Sequence, residues 1–467
     1  MPVLGVLLVL LGCQAGEQEK GVLRVGMAQM PITVDPRFAT DAASVRVQAF
    51  LHRGLIRLDE HFNVQGDLAE RWEHPEPLLW RFYLRRGVIF SDGSKLDAAD
   101  VVATLNAVMD TDLASPLKAG FAAIDSVSSD GDDVVVIRLN KPDASLLTRL
   151  NLGVLPQSIA QAPYRAHQTV GCGAYRLQSW TESAITLQRV GALGTVARIR
   201  FAVVKDPVTR ILKLTRGELD FVQNDLPPHL LYYIKQQQLD IQTRPSTTFS
   251  YIGLNLQDKT LKDVRVRRAL ALAIDRVKLK KELFADLPVL AETVLTPSHW
   301  ASSRLPVVPF DRQAANHLLD EVGLLRDADG IRFSMVYRTS TDPTRLRLAT
   351  AITAMWADIG VNVSIESLEW GGFYARIKRG DFQVFSLAWV GITDPDIYRW
   401  ILHSTMWPPK GANRGRYASE QMDAWLDGAA AANTQSERKA LYGLIEQKMQ
   451  QDMVYIPLWY DPVIAVS

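Results

Sequence analysis

The side chains best suited to chemistry in this chain are charged and aromatic groups on loops, not a nucleophile. Arg414 and Arg416 stand two apart in Gly411-Ala412-Asn413-Arg414-Gly415-Arg416-Tyr417. Guanidinium groups there can meet a carboxylate in bidentate fashion, although a loop without a ligand would simply keep them in water. Asp394 and Asp396 flank Pro395, a pattern that shapes and caps turns. Trp370, Trp389, Trp400 and Trp407 can line an apolar cleft or fill a core. Covalent catalysis has no recognisable apparatus: there is no Gly-x-Ser-x-Gly elbow, no His-Glu-x-x-His pair and no Walker phosphate loop. Gly171-Cys172-Gly173 lacks the third glycine of a dinucleotide fingerprint. Of the histidines (52, 61, 74, 167, 229, 299, 317 and 403), no two fall at ligand spacing, so neither a compact metal site nor a cofactor is expected. The chemistry on offer is recognition.

The elements that must position these groups alternate between strand and helix. Asp97 to Asp110 reads as a helix, with Asp97 as N-cap, Asp100 three residues on, and Val101, Leu105 and Val108 on one face. Val134 to Leu139 reads as a strand after the turn Asp130-Gly131-Asp132. Asp263 to Phe284 is expected to be one helix with Val266, Leu270, Ile274 and Val277 as its buried stripe. Arg265, Arg267 and Arg268 crowd its start against the helix dipole, so packing must hold that turn. Phe333 to Thr339 is a strand and Asp342 to Ile359 a helix with Pro343 at N1 and Gly360 as its stop. Val361, Val363 and Ile365 alternate as the next strand. Strand, helix, strand implies a right-handed parallel crossover and an α/β protein. The 467 residues are enough for two or three domains, and 52 basic against 51 acidic residues leave a net charge of +1, which argues against a nucleic-acid partner.

Several motifs in order carry a resemblance. They are Asp35-Pro36-Arg37, Gly54-Leu55-Ile56-Arg57-Leu58, Leu68-Ala69-Glu70-Arg71-Trp72, Phe82-Tyr83-Leu84-Arg85-Arg86-Gly87-Val88-Ile89-Phe90, Asp92-Gly93 and Asp97-Ala98-Ala99-Asp100-Val101-Val102. Further on, Arg265-Val266-Arg267-Arg268-Ala269-Leu270 with Ala273-Ile274-Asp275-Arg276, and Gly380 to Trp389, continue it. The chain resembles the peptide-type (family 5) extracellular solute-binding proteins of ABC importers over nearly its whole length. The resemblance implies a two-lobed periplasmic-binding-protein-like fold with mixed sheets, an inserted subdomain and a ligand cleft between the lobes. By the same resemblance, 22–42, 165–247 and 446–467 form lobe I, 43–164 its inserted subdomain and 248–445 lobe II, with a hinge near Arg244 to Ser250. Family members usually continue well past a segment like Tyr455 to Tyr460. This chain ends at Ser467, which leaves open whether lobe I has its final strand.

Ligand contacts are expected, by resemblance, at Met30, Ile32, Trp389, Val390, Gly391, Ile392, Asp394 and Arg414. Many peptide-binding members carry an aspartate three residues after the tryptophan, where it pairs with the peptide's α-ammonium. Here that position is Ile392. A buried ammonium without a counter-charge costs several kcal/mol. Either another acid such as Asp394 takes the role, or the ligand has no free α-amine. The function implied is capture of peptides or related small solutes for a permease, by a monomer that performs no catalysis. A nickel-chelate or haem carrier of the same fold is the alternative within the class, and a secreted hydrolase the alternative outside it.

Only two cysteines are present. Leu10-Leu11-Gly12-Cys13 closes a short apolar run and resembles a lipobox, so 1–12 reads as a lipoprotein signal peptide and 13–21 as a polar tether. No Lys or Arg precedes the apolar run, so either the start lies upstream or the leader is unusually short. The implied location is the periplasm or cell surface, with lipid on Cys13 as the only membrane contact. Cys172 is expected to be a small buried thiol.

Overall fold

The computed structural model describes residues 21–191, 194–224, 226–432 and 434–467. The expected leader, Cys13 and all but the last residue of the tether lie outside them. An eleven-stranded sheet runs through the molecule. One end holds Val361–Leu368, Phe333–Ser340 and Val384–Trp389, and the other holds Phe221–Gln223, Val22–Met27, Arg198–Val203, Ala184–Arg189 and Tyr175–Trp180. Two long antiparallel strands, Ile241–Leu254 and Tyr455–Val466, belong to both ends. The second reaches lobe I, where Val466 stands opposite Val222. Between Pro245 and Phe249 the register of the long pair slips, and Pro245 stands opposite Pro462. Neither proline has an N–H to give the ladder, so the strands are least tied together within the stretch expected to be the hinge.

Alternation along Ile241–Leu254 builds two cores in lobe II. Phe249 and Tyr251 point to one face, where they meet Phe385, Leu387, Tyr398 and Tyr442. Ile252 and Leu254 point to the other, against Tyr337, Ile352 and Trp356. The helix Pro343–Ala357 joins the parallel pair Phe333–Ser340 and Val361–Leu368, as expected. Asp342 accepts from the amides of Thr344 and Arg345 to start it. Gly360, at φ +83°, turns the chain into the next strand, and a Cβ there would sit 2.9 Å from the Gly330 carbonyl oxygen.

The inserted subdomain has its own sheet, ordered Ala69–Glu76, Leu79–Leu84, Val134–Leu139, Ile124–Ser129. Its core packs Phe82, Val135 and Ile137 with Val101, Leu105 and Val108 of the helix Ala98–Met109. Asp97 and Asp100 cap that helix reciprocally.

One helix departs from expectation. Asp263 to Phe284 is two helices, Val264–Leu272 and Arg276–Phe284, because Asp275 caps a new start by accepting from the Lys278 amide. The change of direction leaves Val277 57% exposed, so it is not part of the buried stripe. Arg267 explains the basic start of the first helix: its guanidinium is buried and donates to the carbonyls of Leu261, Lys262 and Met453. Cys172 is buried, and burial pushes its thiol up to about 11.

Candidate functional site

A cavity of about 760 Å³ has one wall from the sheet end carrying Val384–Trp389 and the other from the helix Ala42–Leu51 and the segment around 145–153. The strand Val384–Trp389 delivers Trp389 opposite Phe249 of the long strand. Gly391, at φ +73°, then turns the loop, and the Ile392 amide donates to Thr247 O at 3.0 Å. The cleft loop is thereby tied to the stretch where the register of the long strands slips. Trp389, Val390, Gly391, Ile392 and Asp394 all line this wall, together with Trp400. Opposite them stand Val45, Ala49, His52, Phe121 and Leu152. The lining is mixed: apolar groups stand on both sides, with Val390 79% exposed, and Gln48, Arg149, Asn151, Asp394 and Asp396 line it as well.

Ile392 is buried and packs into the core around Phe249 and Tyr251. Asp394 does more than shape its turn. It accepts from the Asp396 amide at 2.8 Å, as turn chemistry requires. Its Oδ1 also accepts from Ser145 Oγ at 2.8 Å and its Oδ2 from Thr148 Oγ1 at 2.6 Å. Both hydroxyls belong to the inserted subdomain, so this carboxylate clasps the two walls together. Nothing in the sequence signals Ser145 and Thr148, which are ordinary polar residues far from Asp394 along the chain. Burial and the neighbouring Asp394 charge raise the Asp396 carboxyl to about 6.

Of two buried histidines, His299 stands at this junction and His52 in the opposite wall of the cavity. His299 Nε2 lies 3.3 Å from Thr393 O, and its ring stacks on Phe62 at 5.2 Å. His52 Nε2 lies 3.2 Å from Val34 O. Burial lowers both rings to about 4, so both are neutral at pH 7.

Arg414 does not line the cavity. It is 7% exposed and lies behind Trp389, its guanidinium carbon 4.3 Å from that ring's centre. It donates to Tyr251 Oη at 3.0 Å and Tyr374 Oη at 3.1 Å. Arg416 is separate from it and donates to the Arg379 carbonyl. Met30 is half-buried against the core of Val25 and Met27, and Ile32 is 65% exposed with its amide on Ser44 Oγ. Neither reaches the cavity wall. Of the other tryptophans, Trp370 stacks on Tyr374 and Trp407 donates to the Tyr417 carbonyl. Among the described residues no group of three or more His, Cys, Asp or Glu is placed to hold a metal ion, and no helix is long and apolar enough to cross a membrane.

This two-walled cleft on a continuous mixed sheet is that of a solute-binding protein. The family profile "Bacterial extracellular solute-binding proteins, family 5 Middle" matches residues 63–407, and the chain belongs to that family. It is 24% identical over 473 aligned positions to the oligopeptide-binding protein AppA of Bacillus subtilis, covering 95% of this chain and 87% of that one. It is 26% identical over 455 positions to the glutathione-binding protein GsiB of Salmonella choleraesuis, covering 93% and 88%. Among solved structures, HbpA2 from Haemophilus parasuis shares the fold with a TM-score of 0.84 at 24% identity, over 96% of this chain and 95% of that one. The family and these relatives are binding proteins, not enzymes.

Proposed function

We propose that the protein captures peptides or related small solutes outside the cytoplasm and delivers them to an ABC permease. The observation that carries this reading is the cavity of about 760 Å³ whose walls come from both sides of the slipped strand pair. A solute touching Trp389 and Val390 on one wall and Val45 and His52 on the other favours the closed arrangement, and a permease can read that state. We assign 22–42 and 165–247 to lobe I, 43–164 to its insert and 248–445 to lobe II; of 446–467, expected in lobe I, Met449 to Tyr460 packs in the lobe II cores and the end of the strand reaches lobe I.

Ile392 offers nothing to an ammonium, and Asp394 already accepts two hydroxyls. Asp396, the other acid of the lining, is raised to about 6 by burial, so we read a ligand that needs no free α-amine. Ile32, exposed and with its amide on Ser44 beside the cavity-lining Val45, meets only a ligand long enough to extend past the cavity, and Met30 stays in the lobe I core. Arg414 holds Trp389 by its face and sets a positive charge behind it, which favours a ligand carrying an acidic group. The protein acts as a monomer held to the membrane through lipid on Cys13.

Native mass spectrometry of the purified chain should show a co-purified small molecule. A saturating solute, at about 100 times its dissociation constant, should add about 2.7 kcal/mol to stability and reduce the radius of gyration. A panel of peptides, metal chelates and sugars that gives neither thermal shift nor compaction would refute this function.

A further inference from the structure

A second cavity, about 290 Å³, opens between the inserted subdomain and lobe II and shares Thr148 with the first. The first two strands of the insert's sheet line it with Trp72, His74 and Trp80, and lobe II closes it with Trp300, Ala431 and Arg438. His74 and Trp80 already stack face to face, 4.0 Å apart at 13°. Flat rings and methyl groups thus make much of the walls, beside Asn63, Asp143, Thr434 and Gln435.

Three donor nitrogens at this place lack acceptors, while Asn63 Oδ1 is taken by Gln435. Arg438 Nη1 donates to Ala144 O at 3.1 Å, but its Nε and Nη2 are buried with no hydrogen-bond partner. Asp394 Oδ1 stands 4.0 Å from Nη2, too far for a hydrogen bond, and is already engaged by Ser145. Trp80 Nε1 is also buried without a partner. Asp143, the carboxylate in the lining of this cavity, is committed to Arg149 at 2.6 Å. Three buried donor nitrogens left unmet are costly, and the guanidinium, whose charge Asp394 and Asp396 already face, still lacks acceptors for Nε and Nη2, which two oxygens of one carboxylate would supply.

We infer that this second cavity is a binding site for a small aromatic carboxylate, its ring held among Trp72, Trp80 and Trp300 and its carboxylate on Arg438. The volume admits one ring system with a short acid arm. Because its walls belong to both the insert and lobe II, occupancy adds contacts across the same junction that Asp394 clasps and biases the protein toward closure.

Isothermal titration calorimetry with indole-3-acetate on the full chain tests the site. One indole-3-acetate should bind per chain. Indole-3-acetamide, which lacks the charge, should bind at least tenfold more weakly. Arg438→Met should weaken the acid at least tenfold, and Ala431→Trp, which fills the cavity and leaves the guanidinium untouched, should abolish binding. Val45→Trp, which narrows the first cavity, should leave indole-3-acetate unaffected. Absence of binding would overturn the inference. So would equal affinity for acid and amide, or a loss caused by Val45→Trp but not by Ala431→Trp. The acid and amide comparison uses the unaltered protein, so it stands even if Arg438→Met fails to fold.

Discussion

Removing the hydroxyls of Ser145 and Thr148 should open the protein. Asp394 accepts from these groups at 2.8 and 2.6 Å. Hydrogen bonds to a charged partner contribute about 1.5–3 kcal/mol each. The Asp394 side chain is 21% exposed, so water recovers part of that when the bonds break. For the pair, about 2–4 kcal/mol of differential stability between clasped and open arrangements is reasonable. The lower figure alone shifts the equilibrium about 30-fold. Other contacts across the junction remain, among them Arg438 to Ala144 and Gln435 to Asn63, so opening should be partial. Small-angle scattering of the ligand-free Ser145→Ala/Thr148→Val protein should show a larger radius of gyration than the unaltered chain. Asp394→Asn, which keeps one carbonyl acceptor, should fall between the two. A folded double variant whose scattering curve matches the unaltered protein would refute the clasp.

Acid should weaken the fold through His52 and His299. Both titrate near 4 when folded against 6.5 unfolded. Stability is therefore complete above pH 6.5 and lost as pH falls toward 4, by at most roughly 3 kcal/mol per ring. Asp396, raised to about 6, acts with the opposite sign and offsets part of the loss. Urea unfolding at pH 7.5 and 5 checks this, and a His299→Gln variant should show the smaller slope. Gly253→Ala should destabilise the fold by about 1–3 kcal/mol, the usual cost of overpacking, because the new Cβ would meet the Phe385 ring at 2.2 Å; an unchanged melting temperature would count against the packing described. Cys13→Ser should release the protein from membranes into the soluble fraction, and unchanged fractionation would exclude a lipid anchor on that residue.

Local signals were legible in the sequence where one short segment carries the whole message. Asp97 with Asp100, Pro343, Gly360 and the alternation at Val361, Val363 and Ile365 each state their own structure within a few residues. The break before Asp275 was hidden because an apolar stripe runs on past it at helical spacing. Asp275 reads as one more residue of that helix until its side chain is seen to take the Lys278 amide. The cleft loop was legible by resemblance as far as Trp389 to Asp394. The Asp394 contacts with Ser145 and Thr148 span 249 and 246 residues, and no local pattern encodes them. Arg414 reads as a loop cation by sequence, and only the packing of Tyr251, Tyr374 and Trp389 around it shows a buried guanidinium.

Matched peptides with free and acetylated N-termini provide the most direct test of the solute site. Ile392 at the amine position, worth at most ~1.5–3 kcal/mol as buried apolar area, predicts that the acetylated peptide binds at least as tightly as the free one in calorimetry. Ile392→Asp should then shift preference toward the free amine by adding a charge-assisted hydrogen bond. A strong loss of affinity on acetylation that Asp394→Asn abolishes would contradict this reading and make Asp394 the ammonium's partner.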